Sequence, residues 1–437
     1  MKSVNKLTAS LLAGLFSLLF AGASTGQKQP SVFAIRGAKI YTLAGAPIEK
    51  GNIILRDGRI AAVGADAAIP EGAEIVDGAG LEVYPGLFDS SSQLGLTEID
   101  SVSGTVDNAE MGDFNPQLNA ATAIHPASEH IPVSRETGIT HTVVMPSGGM
   151  IPGQATAIQL AGWTIEEMLV RKSVGLVLNW PQISTRSFDF ATFSFKDKPY
   201  TDVKREQEKK VQELTDLFDR ARHYQQAVEK GSAASYERDL KLEALIPVLK
   251  GELPVIVIAE RAREIKGASE FCDKQKVRMI LAGGTESYKV KDLLRQKNIP
   301  VILGPTLALP ANEDDPYDRQ FTLPAELQAA GIQFAISSQS TSFMRRLPEY
   351  AGVAQAYGLS HDDALKAVTL NPAQIFGLSK DLGTIETGKI GNLIVTTGDP
   401  LEIRTVVRYL FINGRLTSTD NKHRQLYEKY RKRPESR

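Results

Sequence analysis

The sequence predicts an α/β fold, a (β/α)8 TIM-like barrel with a small β-sandwich domain built from both chain ends. Between about residues 86 and 380, apolar runs of strand length alternate with stretches of helix length, which favours a closed barrel. Strand-like segments joined by tight turns lie on both sides of this region. No G-x-G-x-x-G or G-x-x-x-x-G-K-S/T nucleotide loop is present, which argues against a doubly wound open sheet.

The first 23 residues have the pattern of an export signal. Lys2 and Lys6 precede the apolar run 11–20, and Ala21-Gly22-Ala23 supplies the small residues of a cleavage site. We expect 1–23 to be a signal peptide cleaved near Ala23, so that the mature protein is secreted or periplasmic. The alternative, a retained anchor, is disfavoured because a spanning helix needs about 20 apolar residues. No later segment predicts a stable membrane anchor.

The two chain ends are predicted to form one small domain. Residues 30–84 give the first part of the β-sandwich and 384–416 the second, with the barrel at 85–383 between them. Asp57-Gly58 separates two strand-like runs and predicts a type I′ hairpin, because both turn residues tolerate a positive φ.

The barrel prediction depends on apolar runs that a parallel sheet covered on both faces requires. These runs are 142–145, 174–178, 255–258, 279–281, 301–303 and 334–336. The charged stretch 202–229 has one apolar stripe and is predicted to be a helix on the outside of the barrel. Residues 417–437 are predicted to be a charged, frayed and solvated tail, and contact with an anionic surface is the alternative.

The charge balance and the cysteine count exclude some classes of function. Fifty Lys and Arg against 51 Asp and Glu give a net charge of −1, which argues against a nucleic-acid-binding protein. Cys272 is the single cysteine, so an intramolecular disulfide and a cysteine-rich metal site are both excluded.

Four segments carry a family resemblance. They are 83–89 (V-Y-P-G-L-F-D), 137–149, 363–378 and 383–393. In order and spacing they resemble the amidohydrolase superfamily, most closely its imidazolonepropionase-like secreted members. The resemblance spans nearly all of the chain after residue 23. It implies a hydrolase that acts on carbon–nitrogen bonds other than peptide bonds, such as those of cyclic amides.

The family's chemistry uses a divalent metal, which lowers the pKa of a bound water and polarises the substrate carbonyl. The resemblance places the metal ligands at positions that are occupied here by Ser91, Gln93, Ile258, Gly283 and Gln339. The first four replace histidines, and Gln339 replaces the aspartate that binds metal and transfers a proton. We therefore expect a degenerate site without a metal or other cofactor, and weak or no hydrolase activity.

We considered two other kinds of site, a relocated histidine metal centre and a metal-free carboxylate site. The six histidines (125, 130, 141, 223, 361 and 423) are too scattered to predict the three or four convergent ligands of a metal centre. Asp89, Glu260 and Glu286 could share a pocket at the barrel mouth and perform metal-free acid–base chemistry, although such acidic groups also organise loops.

The sequence thus leaves two classes of function. One is a weak or inactive carbon–nitrogen hydrolase. The alternative is a non-catalytic protein that binds a small molecule, or a partner subunit of an active relative within a homo- or hetero-oligomer.

Overall fold

The computed structural model describes residues 32–189, 192–231 and 238–432. The predicted signal peptide at 1–23 lies outside these residues. The described chain contains a barrel and a separate small sheet.

Eighteen strands are described. The first nine are β1 (Val32–Ile40), β2 (Ile48–Arg56), β3 (Arg59–Gly64), β4 (Glu74–Asp77), β5 (Glu82–Pro85), β6 (Leu87–Ser92), β7 (Ile139–Val144), β8 (Gly153–Gln159) and β9 (Leu169–Asn179). The others are β10 (Arg186–Asp189), β11 (Ser194–Asp197), β12 (Val255–Ala259), β13 (Met279–Gly283), β14 (Val301–Leu303), β15 (Phe334–Ile336), β16 (Leu393–Thr396), β17 (Val407–Ile412) and β18 (Arg415–Thr417).

The α-helices in the described ranges lie mainly between the barrel strands. They are α1 (His130–Glu136), α2 (Ile165–Met168), α3 (Tyr200–Glu229), α4 (Leu240–Leu249), α5 (Ala262–Gln275), α6 (Lys291–Gln296), α7 (Arg319–Ala329), α8 (Leu347–Ala356), α9 (His361–Ala367), α10 (Leu370–Ile375) and α11 (Lys422–Arg431).

The small sheet joins both chain ends, as predicted. Its strand order is β18-β17-β16-β5-β1-β2-β3, with β4 on β1, and β5 of the N-terminal part pairs with β16 of the C-terminal part. The rings of Phe33 on β1 and Phe411 on β17 are 5.4 Å apart, although two strands separate β1 from β17. Because neighbouring strands of a flat sheet lie about 4.8 Å apart, this contact requires the sheet to curl around its own core.

The predicted hairpin turn is present at this sheet. Asp57 and Gly58 both have positive φ, 50° and 83°, and they connect β2 to β3. The turn lies against the second hairpin turn, at Gly414, where an added Cβ would be 2.8 Å from the Gly58 Cα. The two chain ends therefore meet at their turns as well as along β5 and β16.

The barrel sheet has the order β6-β7-β8-β9-β12-β13-β14-β15. The predicted TIM-like barrel is confirmed, with one departure from strict (β/α)8 topology, because β8 runs antiparallel to β7 and β9. The reason is the short connection of residues 145–152, since a parallel crossover needs about a dozen residues or more.

Alternating residues of the barrel strands divide the core into two layers. Phe88, Val143 and Ile256 belong to the barrel interior, whereas Leu178 and Val257 pack outward beneath the helices. The barrel interior is therefore filled by side chains.

The predicted helix over 202–229 is observed as α3, and its apolar stripe is buried at Leu214, Leu217, Phe218 and Ala221.

The ends of the described chain add two findings. None of the described helices has both the length and the apolarity to cross a bilayer. Within the predicted frayed tail, the residues of α11 instead form a helix that is capped by the Asn421 side chain.

Candidate functional site

The barrel closes between β6 and the segment after β15 through a buried carboxylate. Asp89 Oδ1 accepts hydrogen bonds from the backbone N–H groups of Ser338 (3.0 Å) and Ser91 (3.2 Å), and the Ser338 hydroxyl donates to Oδ2. Burial raises the pKa of Asp89 to about 7, and the hydrogen bonds from Ser338 and Ser91 oppose this shift. We call this line of hydrogen bonds between β6 and residues 336–339 the seam.

Two further hydrogen bonds support the seam. Gln339 N–H donates to the Ser91 carbonyl at 2.9 Å, and the Ser90 hydroxyl donates to the Ile336 carbonyl at 3.2 Å. Ser91 and Gln339, two of the predicted ligand positions, therefore touch through their backbones.

The side chains of the first two predicted ligand positions are turned to other partners. The Ser91 hydroxyl faces Met145 Sδ at 3.6 Å. The Gln93 amide oxygen accepts a hydrogen bond from Asn108 Nδ2 at 2.8 Å. The first contact joins β6 to the residue after β7, and the second helps to fix the long loop that follows β6.

A carboxylate fills the space beside Gly283. A Cβ added to Gly283 would lie 2.7 Å from Glu260 Cδ and still closer to Oε1. Glu260 Oε2 accepts a hydrogen bond from Thr285 N–H at 3.1 Å, and burial raises the pKa of Glu260. The position where the resemblance implies a histidine is thus backbone alone, with φ of 91°. Glu260, directly after the neighbouring strand β12, supplies the side chain.

Three of the predicted site residues line one small cavity at the barrel mouth. Glu260, Gly283 and Gln339 surround a volume of about 100 Å³. A cavity of this size holds only a few non-hydrogen atoms. Gln320 of α7 is 8% exposed and also lines the cavity, and its Nε2 is buried without a hydrogen-bond partner.

The other predicted residues do not line this cavity. Ile258 packs against the barrel interior, and Asp89 lies in the seam. Glu286 accepts hydrogen bonds from Ala262 N–H (2.8 Å) and Lys289 Nζ (2.8 Å). Burial alone would raise the pKa of Glu286, but these hydrogen bonds together with one from Asn312 lower it. Glu286 therefore organises a loop and the start of α5.

Sequence reasoning missed Ser338 and Gln320. The signal for Ser338 was its position directly after the last barrel strand, which a closed barrel brings next to the first. For Gln320, a polar residue in a helix that begins after a long loop, the sequence carries no signal.

The side chains at the mouth do not fit a catalytic divalent metal. Within the described ranges, which include all six histidines, no three or more His, Cys, Asp or Glu residues converge as a metal site requires. Burial lowers the pKa of His141 to about 3, and His361 pairs with Asp399 at 2.9 Å. The serine and amide groups that replace the family's ligands are weak, neutral donors for zinc.

Known proteins share this architecture. The profile described as "Amidohydrolase family" matches residues 257–417. The crystal structure of an amidohydrolase from Thermotoga maritima MSB8 superposes with a TM-score of 0.77 at 25% identity, over 88% of this chain and 99% of that one. Molinate hydrolase superposes with a TM-score of 0.55 at 14% identity, over 90% of this chain and 96% of that one, and shows the fold alone.

A curated relative is similar in sequence. Amidohydrolase tasK of Hapsidospora irregularis is 21% identical over 406 residues. The match includes 84% of this chain but only 39% of that longer protein. Together with the fold and the order of the motifs, these likenesses support the amidohydrolase superfamily as the family of this chain.

We predict that Gly283 and Glu260 compete for one space. Gly283→Ala should cost about 1 kcal/mol of backbone strain and a further 1–3 kcal/mol, roughly, for displacing the buried carboxylate. In a Glu260→Ala background the second part should disappear, which gives a coupling free energy of at least about 1 kcal/mol in urea unfolding.

Gly331→Ala is the matched control for this cycle. Gly331 has a similar φ of 71° with no atom near its added Cβ, so its cost should not change in the Glu260→Ala background. A coupling free energy near zero for Gly283 would show that Glu260 does not occupy the space beside it.

We predict that the seam makes stability pH-dependent. Because the folded-state pKa of Asp89 is raised to about 7, the folded protein holds more protons than the unfolded chain between about pH 4 and pH 7. The contribution of Asp89 to the free energy of unfolding is therefore largest below the pKa of this group in the unfolded chain, and it is lost as pH rises through 7.

The measurement compares urea unfolding of the wild type and Asp89→Asn across this range. From pH 4 to pH 8, the unfolding free energy of the variant should rise by roughly 2–4 kcal/mol relative to that of the wild type. Ser90→Ala removes a seam hydrogen bond but no titrating group. Its unfolding free energy should therefore differ from that of the wild type by the same amount at every pH. Parallel curves for Asp89→Asn and the wild type would contradict the assignment.

Proposed function

We propose that this protein has lost the metal-dependent hydrolysis of its superfamily and binds a small polar ligand at the barrel mouth. The observation that carries this proposal is the Glu260 carboxylate beside Gly283. A side chain at Gly283, where the resemblance implies a histidine, would meet this carboxylate. A metal bound there would need several donors at once, and the other expected ligand positions offer only the neutral oxygens of Ser91, Gln93 and Gln339.

The lining of the cavity favours a carboxamide as the ligand. Gln320 lines the cavity, and its Nε2 is a donor without an acceptor and with almost no accessible surface. Leaving such a group unpaired costs about 1–3 kcal/mol, so we expect a small rotation of this amide to present it to a ligand in the cavity. The Glu260 and Gln339 side chains supply oxygens that accept hydrogen bonds. An amide offers one carbonyl acceptor and one N–H donor on a few atoms, which matches both the polarity and the size of the cavity.

A metal-independent carbon–nitrogen hydrolase is the second candidate, and one observation favours it. The pKa of Glu260 is raised by burial, and this carboxyl lines the cavity. A protonated carboxyl in such a position can act as a general acid. Asp89 is a poorer candidate because its oxygens accept three hydrogen bonds within the seam.

The metal content and the turnover of the purified protein test the loss of metal chemistry. After incubation with zinc, manganese or iron followed by desalting, we expect much less than one ion per chain and no chelator-sensitive hydrolysis of a cyclic amide. One tightly held ion with chelator-sensitive turnover would overturn the proposal. Chelator-insensitive turnover that Glu260→Gln abolishes would establish the second candidate instead.

Binding of acetamide tests the ligand assignment. Saturation-transfer NMR should detect acetamide bound to the wild type, and Gln320→Leu should weaken binding about fivefold or more, as expected for one lost hydrogen bond. Gln328→Leu, on the exposed side of the same helix, is the control and should bind normally. Equal transfer to the wild type and Gln320→Leu would contradict the assignment.

A further inference from the structure

The C-terminal helix α11 has no buried residue. Its apolar side chains are exposed, with Leu426 at 40% and Tyr427 and Tyr430 at 65% each. An isolated helix of this length is marginal in water. Something other than propensity and core packing is therefore expected to stabilise it.

The first turn of the helix is held by the barrel. Asn421 caps it by accepting from His423 and Arg424 N–H, and Asn421 Nδ2 donates to Glu136 of α1 at 2.8 Å. Arg424 lies 3.6 Å from Glu136. These contacts fix where the helix begins and the direction in which it runs.

One side of α11 faces the small sheet. Arg424, Gln425 and Glu428 line an open groove of about 700 Å³ together with residues of β17 and β18. With about 100° between successive residues, Leu426, Tyr430 and Tyr427 share an arc of about 100° on the opposite side. Lys422 and Lys429 flank this arc on one edge and Arg431 on the other.

The charge of the helix decides among possible partners. Residues 422–432 contain five Lys and Arg residues and one glutamate, whereas the whole chain has a net charge of −1. A second copy of this face would bring two strongly positive helices together, so self-association through it is disfavoured. An anionic surface with an apolar layer beneath it complements both the lysines and the exposed Leu426.

We propose that α11 binds the surface of bilayers that contain anionic phospholipid. Helices of this kind lie in the interface with the apolar arc inserted and the basic edges at the headgroups, and tyrosine is enriched at that depth. The attachment is peripheral and reversible, and it is independent of any ligand at the barrel mouth.

Vesicle co-sedimentation of the full chain tests this proposal. The wild type should bind phosphatidylcholine vesicles that contain about 30% phosphatidylglycerol, and high salt should release it. Lys422→Glu/Lys429→Glu should lower the partition coefficient at least about tenfold. Leu426→Ser/Tyr430→Ser should lower it as well, because the inserted apolar area is lost.

Lys266→Glu/Lys274→Glu on α5 is the matched control. It changes the net charge equally at two other exposed lysines, and it should bind like the wild type. Circular dichroism and urea unfolding verify that each variant is folded. Equal binding to pure phosphatidylcholine, no binding to either vesicle, or equal loss in the control would overturn the proposal. So would a dimer that Leu426→Ser/Tyr430→Ser dissociates.

Discussion

The buried Asp89 carboxylate at the seam is the contact on which the closed barrel depends. The ladder of the sheet ends at β6 and β15, and the hydrogen bonds that join these strands come from Asp89, Ser90 and the backbone around Ser338. In the family pattern the residues after this aspartate are metal ligands. In this chain the first strand is held to the last by hydrogen bonds within the protein.

Contacts within the protein also occupy the side chains at the mouth. Glu260 fills the space of the absent side chain at Gly283, and Gln93 is bound to Asn108 of the loop after β6. Burial raises the pKa of Asp89 in the seam and the pKa of Glu260 at the mouth. A catalytic metal needs anionic or imidazole donors, and a raised pKa disfavours the anionic form of a carboxyl group. The electrostatics and the residue types therefore both support the proposed loss of metal chemistry.

The sequence predicted those features that arise from local chemistry. The Asp57-Gly58 turn followed from the tolerance of both residues for positive φ. The place of Glu260 at the barrel mouth followed from its position at the end of a predicted strand. The antiparallel β8 was missed because its small side chains give no continuous apolar run, although the short connection before it excludes a parallel crossover. Ser338 was missed because its contact with Asp89 spans 249 residues. Gln320 was missed because an unsatisfied donor is a property of the packed structure.

The position of the cavity follows from these replacements. Glu260 takes the space at Gly283, and the Gln339 side chain lies over Gly304, whose added Cβ would be 2.9 Å from Gln339 Oε1. Two glycines at the ends of the neighbouring strands β13 and β14 therefore make room for side chains that follow β12 and β15, and the gap between these side chains is the cavity. Restoring a bulky ligand at Gly283 would have to expel Glu260 from the mouth. Building a metal site here would therefore require changes at several positions together, because Glu260 and Gln339 both occupy space that a new ligand would need.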